Sequence, residues 1–216
     1  MKNINKEVWR YLDNHITIKK NLSDELINVR ALSKKIIKDL NLNCSLSSAI
    51  SAIRRYHADL KEKEYLPQVY GLLRKAKLLT RTKLASILLK KKESVRNKLI
   101  KIYQMIDFEG GDTLRMFEVN RYIKIIVDEK NLSEIKELFN ASEIVDLEKN
   151  LGELTISYNL DITKTPGVFA LLSNELAANN ISIIDSMICY SEHLIIIREE
   201  DLQRAFAVVF GLTTKS

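Results

Sequence analysis

The sequence predicts an α+β chain in which an N-terminal helical region precedes two tandem copies of a βαββα unit. Three observations predict it. Over roughly the first 65 positions, apolar residues recur at helical spacing. From about residue 83, alternating apolar stretches and helical periodicity follow one another in the order β-α-β-β-α, twice, at an offset of about 70 residues. The charge also divides. Residues 1–110 carry 24 Lys and Arg against 11 Asp and Glu, residues 111–216 carry 10 against 17, and the net +6 hides the split. A basic half suggests a polyanionic partner, and lysine-rich solvated helices account for the same charges.

In the helical region, Ile4, Val8, Tyr11 and Leu12 form a first amphipathic set, with Trp9 beside it. His15 to Asn21 reads as a polar connection. Ser23 caps a second helix whose firm part runs from Val29 to Leu40, and Asn41 to Cys44 breaks it. Ser45 or Ser47 caps a third helix. Leu46, Ala49, Ile50, Ile53, His57 and Leu60 face inward, and Ser48, Ser51, Ala52, Arg54, Arg55 and Asp59 face outward. Helix, short polar turn, helix is the pattern of a helix-turn-helix module. Such a module lays its second helix in the major groove and sets cations on phosphates. The DNA-facing set would be Lys34, Lys35, Lys38, Ser48, Ser51, Arg54 and Arg55. A helical dimerisation or enzyme-docking module is the other reading. Residues 1–65 are assigned to this three-helix domain, and 66–82, with Arg74, Lys75, Lys77 and Arg81, to a basic linker.

The first repeat takes 83–148. Ala85, Ile87 and Leu89 alternate as a strand, and Val95, Leu99, Ile102, Tyr103 and Ile106 follow as a helix. Strands at Thr113–Val119 and Tyr122–Val127 precede a helix of Leu132, Ile135, Leu138 and Phe139. Asn131 with Glu134 supplies its start signal. The second repeat takes 149–216. Its counterparts are Leu154, Ile156 and Tyr158; the helix Val168 to Leu176; strands Ile181–Tyr190 and Leu194–Ile197; and a helix of Leu202, Ala205, Phe206, Val209 and Phe210. Each repeat reads as a ferredoxin-like split βαβ unit, with two helices on one face of an antiparallel sheet. Glu143–Glu148 can close the first repeat as its fourth strand. Too few residues follow Leu212 to close the second. Either Glu143–Glu148 serves the second repeat and Ala76–Leu79 the first, or an open edge recruits a second subunit.

The second repeat holds Thr165-Pro166-Gly167-Val168-Phe169-Ala170, then Glu175-Leu176-Ala177, then Asn180-Ile181-Ser182-Ile183, with Leu194 to Leu202 behind. On these residues the chain resembles a tandem ACT-domain protein, closely over roughly 150–212 and by topology alone over 83–148. The resemblance implies sensing of an amino acid at a domain or subunit interface, a homodimer or higher homo-oligomer, and control of amino-acid metabolism. Lys164-Thr165 replaces the acidic or polar residue usual before Pro-Gly, and Ser182 stands where the family opens its second strand with Asn. The first repeat has Lys90-Lys91-Lys92-Glu93-Ser94 in place of the Pro-Gly loop, so it is expected to build the interface rather than a second full site.

A ligand site at Gly167 has a physical basis. Free N–H groups at a helix N-terminus, reinforced by the helix dipole, accept a carboxylate. The expected set is Lys164, Thr165 and Gly167 for the carboxylate, Asn180 and Ser182 for the remaining polar groups, and Val168, Phe169 and Ile184 as walls. The plain alternative is a helix-entry turn at Pro166-Gly167 and a helix stop at Asn180.

No catalytic constellation is legible. His15, His57 and His193 are isolated, and Gly110-Gly111 precedes a strand rather than a helix. Cys44 and Cys189 have no metal spacing and read as buried residues of a reducing cytoplasm. No apolar run reaches the roughly 18 residues that would span a bilayer, and the N-terminus lacks the apolar stretch of a signal peptide. The sequence therefore reads as a cytoplasmic, non-enzymatic regulator without a cofactor or a membrane partner. It takes a small effector and either binds double-stranded DNA as a transcriptional regulator or controls a biosynthetic enzyme without touching DNA.

Overall fold

A computed structural model describes residues 3–60 and 66–214, and the chain divides between Tyr65 and Leu66 into two compact units. Residues 61–65, assigned above to the end of the helical domain, lie outside the described residues.

The first unit has four described helices rather than three: α1 (Ile4–Asp13), α2 (Ile16–Ser23), α3 (Val29–Asp39) and α4 (Leu46–Leu60). The stretch from His15 to Asn21, expected to be a connection, largely forms α2. Asn3 and Asn28 cap α1 and α3 by accepting from Lys6 N–H and Ala31 N–H. Val8, Leu12, Ile36, Ala52 and Ile53 are fully buried at the centre. Helical spacing places Ala52 on the outer face. It is buried instead, as is Tyr56, and the indole N–H of Trp9 donates to Ala52 O at 3.0 Å. The inner stripe of α4 is thus Ala49, Ala52, Ile53 and Tyr56. Small alanines let the neighbouring helix come close.

The second unit contains α5 (Leu66–Leu73), β1 (Lys77–Lys90), α6 (Glu93–Arg96), α7 (Leu99–Met105), β2 (Leu114–Glu118), β3 (Tyr122–Asp128) and α8 (Glu129–Glu137). It continues with β4 (Ile144–Ser157), α9 (Val168–Ala178), β5 (Asp185–Cys189), β6 (Glu192–Arg198) and α10 (Leu202–Thr213). The six strands form one antiparallel sheet in the order β2-β3-β1-β4-β6-β5. One helical stretch was expected over 95–106. It breaks at Asn97–Lys98 into α6 and α7, with Val95 and Ile102 buried and Tyr103 exposed.

The central strands β1 and β4 are each 14 residues long and belong to both halves of the sheet. The second half of β1 pairs with β3 and with the first half of β4 through Ser86↔Glu148 and Ile87↔Leu147. The first half of β1 pairs with the second half of β4 through Lys77↔Ser157 and Thr80↔Leu154. Ile144–Leu147 therefore completes the first half-sheet and Lys77–Arg81 the second. The first placement is the closing strand read from sequence at Glu143–Glu148, and the second reverses the exchange considered there. Residues 66–82 are accordingly not a linker. They form α5 and a strand, and Val69, Leu72, Leu73 and Leu78 pack in the core of the second half.

Each long strand is interrupted at its middle, at Lys83 (φ 57) and Asn150 (φ 56), both left-handed. The freed backbone N–H groups are claimed reciprocally. Lys83 N–H donates to Glu199 Oε2 at 3.2 Å, and Asn150 N–H donates to Glu129 Oε1 at 2.7 Å. Glu129 and Glu199 occupy matching positions directly after β3 and β6, so each half pins the bulge of the other.

Helices cover one face of the sheet. The cores beneath them are Ala85, Ile87, Leu89, Ile123, Ile125 and Val127 in one half, and Leu154, Ile156, Ile195 and Ile197 in the other. The opposite face curls inward over Leu84, Ile126, Leu151 and Ile196, all essentially fully buried. Two ion pairs demonstrate the curl. Arg115 of β2 makes a bidentate contact with the buried Glu153 of β4 at 3.0 and 3.1 Å. Lys124 of β3 reaches Asp185 of β5 at 2.5 Å. β3 and β5 stand four strand steps apart, on the order of 19 Å across a flat sheet, which is beyond the joint reach of the two side chains.

Candidate functional site

The loop after β4 is shaped by its own short-range bonds. Asp161 accepts from the N–H and hydroxyl of Thr163 and holds a 3-10 turn at Ile162–Lys164. These bonds, with Lys164 adding a smaller contribution, keep its carboxyl below the usual range. Ile162 N–H donates to Tyr190 O at 3.0 Å, which ties the loop to the β5–β6 turn, and Thr165 N–H donates to Ile162 O. Gly167 then adopts φ 92 and ψ −11, a left-handed conformation that an L side chain rarely takes, and stands at the N-cap of α9. It carries no side chain to fill the role that Asn3 and Asn28 fill elsewhere, and no side chain caps α9. The first-turn N–H groups of Val168, Phe169 and Ala170 thus lie at the positive end of an 11-residue helix. Lys164 stands nearby, almost wholly exposed, with Asp161 3.4 Å away.

The eight residues expected to form one site separate into two groups. Lys164, Thr165, Gly167 and Phe169 gather at the entry to α9. Val168 is also there, but its side chain is 2% exposed and serves the core, so it forms no wall at the entry. Asn180, Ser182 and Ile184 lie beyond the other end of α9, about 16 Å away along the helix axis. Asn180 takes φ 55 as a helix stop and donates its N–H to Ala177 O. Ile184 packs on the inner face of the curled sheet with Leu84, Ile126, Leu151 and Ile196. A single small ligand does not span both groups in one chain.

Behind the entry stand residues to which the sequence reading gave no role in a site. His193 of β6 is fully buried, with Nε2 2.8 Å from Ser186 Oγ. Burial pushes its pKa down to about 4. The ring of Phe169, half-exposed on its outer side, lies 5.6 Å from the imidazole. Tyr158, directly after β4, is buried in the same apolar cluster as Ile162, Val168 and Leu172, and desolvation raises its phenol pKa. Only the pairing of β4 with β6 brings these groups together, and His193 in isolation signals nothing.

The first repeat supplies a different arrangement. A cleft of about 750 Å³ opens at its corresponding turn, lined by Lys91, Lys92, Glu93, Arg96, Asn97, Glu118 and Asn120 among others. Glu118 engages Lys91 at 2.8 Å, which lowers its carboxyl pKa, and lies 3.9 Å from Arg96. The turn is anchored from below by Glu143. That side chain is nearly buried and bonded to Lys98, to Ser94 and to the N–H of Asn140, which brings its pKa down to about 2.

In the first unit, Lys34, Lys35 and Lys38 lie on the exposed side of α3, and Lys35 is engaged by Asp39 at 2.9 Å. Asp39 also accepts from the Tyr11 hydroxyl. Ser51, Arg54 and Arg55 are exposed on α4, and Ser48 is half-buried. Ser48, Ser51 and Arg55 line a polar cleft of about 360 Å³ with Asn3, Asn5 and Ser47. Among the described residues no group of His, Cys, Asp and Glu is placed to hold a metal ion, and no described helix is long and apolar enough to cross a membrane.

No family model matches the chain, and no curated protein does. Solved structures do. The ligand-free regulatory subunit of aspartate kinase from Thermus thermophilus aligns with 62% of this chain and 95% of its own, at TM-score 0.50 and 17% identity. The same subunit from Thermus flavus aligns over the same shares at TM-score 0.52 and 15% identity. The Clostridium acetobutylicum aspartate kinase, described as an allosteric enzyme, aligns with 63% of this chain at TM-score 0.52 and 14% identity. The aligned stretch amounts to about a third of that kinase's length. At these identities the likeness is one of fold.

Proposed function

We propose that this chain is an amino-acid-responsive regulatory protein, built as a helix-turn-helix-like unit followed by two ferredoxin-like repeats of ACT type, and that the entry to α9 is its effector site. The observation that carries the reading is Gly167. It holds a left-handed N-cap with no capping side chain, so no side chain competes with a ligand carboxylate for the N–H groups at the start of α9. Lys164 adds positive charge beside them. The fold shared with regulatory subunits of aspartate kinase supports an effector-binding role. The protein works by binding rather than by catalysis, in the cytoplasm, as a homodimer or higher homo-oligomer.

A thermal-shift screen of the amino acids tests the site. A ligand at about 100 times its dissociation constant stabilises the native state by about 2.7 kcal/mol, a clear rise in melting temperature. At least one amino acid is expected to give that rise in the wild type and none in Gly167→Glu, whose carboxylate would occupy the entry. A screen with no responder contradicts the assignment.

Two outputs are open to such a protein. The exposed Ser51, Arg54 and Arg55 on α4, with Lys34 and Lys38 on α3, favour a transcriptional regulator. The kinase subunits that share the fold favour control of a biosynthetic enzyme. The first predicts affinity for double-stranded DNA that falls steeply with salt and is lost when Arg54 and Arg55 are both changed to Ala. Absence of binding at low salt, with and without amino acids, leaves the enzyme-regulating output.

A further inference from the structure

Two buried polar atoms behind the α9 entry have no hydrogen-bond partner among the described residues: His193 Nδ1 and Tyr158 Oη. His193 is fully buried and Tyr158 is 6% exposed. The sheet register brings them to one corner. His193 pairs with Ile156 across β4 and β6, and Tyr158, two residues beyond Ile156, shares that face. The backbone N–H of Tyr158 donates to Ser191 O at 2.8 Å, so the two strands remain together at this point. Both side chains lie on the side covered by α9, whose second residue, Phe169, rests against the imidazole. Native interiors rarely leave such groups unpaired, and an unpaired group calls for an explanation.

We infer that this corner receives the side chain of the effector, and that the effector is an α-amino acid whose side chain ends in an uncharged hydrogen-bonding group, an amide or a hydroxyl. The inference rests on the carboxylate site proposed at α9. With the carboxylate on the Val168 to Ala170 N–H groups, the side chain passes beside Phe169 and makes the two missing bonds. The Tyr158 hydroxyl donates to it, and His193 Nδ1 takes the complementary role. Nε2, engaged with Ser186, fixes the imidazole orientation. The surroundings select against charge. Ile156, Ile162, Val168 and Leu172 belong to the same buried apolar cluster as Tyr158. Among the described residues no Lys, Arg, Asp or Glu side chain bonds to either polar group. A carboxylate or ammonium would enter this corner without a counter-charge, and that is costly in an apolar interior. An aliphatic side chain would leave both bonds unmade.

The test is calorimetric titration of the full chain with L-asparagine, L-glutamine, L-serine and L-threonine, against L-leucine and L-aspartate as references. The wild type is expected to bind at least one amide or hydroxyl amino acid tenfold or more tightly than either reference. Tyr158→Phe, which removes one oxygen, is expected to cut that preference to threefold or less while melting no lower than the wild type without ligand. His193→Phe is expected to weaken the same ligands and leave the references unchanged. A preference for a reference, an unaltered preference in Tyr158→Phe, or a lowered ligand-free melt in that variant overturns the inference. If binding is lost in Gly167→Glu while Tyr158→Phe keeps its selectivity, this inference alone fails. Binding indifferent to Gly167→Glu, or no binding at all, removes the carboxylate site together with it.

Discussion

At the residue scale, Glu143 shows how one buried carboxylate holds the turn of the first repeat. It bonds to Lys98, Ser94 and the Asn140 N–H, and its pKa falls to about 2. A carboxyl whose pKa is depressed on folding stabilises the native state above its unfolded value, about 4.3, and loses that contribution as pH falls towards 2. Glu143→Gln is therefore expected to lower stability at neutral pH and to narrow the difference from wild type between pH 4 and 2, followed by urea denaturation at each pH. Parallel acid profiles would contradict this role. The turn at Gly167 was legible because Pro-Gly before an apolar helical run specifies a helix entry. The grouping of Asn180, Ser182 and Ile184 with it was not, because proximity in sequence ignores the length of the helix between them. Tyr158 and His193 were illegible for the converse reason: 35 residues separate partners that only strand pairing joins.

At the element scale, the two long strands integrate the sheet. Their bulges at Lys83 and Asn150 are held by Glu199 and Glu129 from opposite halves. The order of strands and helices was readable because apolar alternation and helical spacing recur at a nearly fixed offset. The use of Lys77–Arg81 to close the second half was not, because β1 runs back past the boundary that the repeat suggests. The continuation at Lys77–Arg81 is mostly exposed and basic, and lacks the apolar alternation that marks a strand. The consequence is specific. A fragment comprising residues 66–216 is expected to unfold in one cooperative transition. A fragment beginning at Lys83 loses α5, Leu78 and the strand beside Ile156, and is expected to lose that transition. Equal cooperativity of the two in urea would show that residues 66–82 are dispensable.

At the scale of the whole molecule, the chain joins a basic helical unit to a curled antiparallel sheet whose fold resembles regulatory subunits. The charge split was legible from composition and does not by itself choose between nucleic acid and solvent, since several of the cations are engaged by neighbours, as Lys35 is by Asp39. The effector site proposed here stands on one contact, that of an amino-acid carboxylate with the backbone N–H groups at the start of α9. Backbone amide NMR of the full chain, titrated with the amino acid that raises the melting temperature most, tests it directly. Saturable shifts of the Val168, Phe169 and Ala170 amide resonances are expected, with one dissociation constant shared among them and no such shifts in Gly167→Glu. Saturable binding that leaves these three amides unmoved would contradict it.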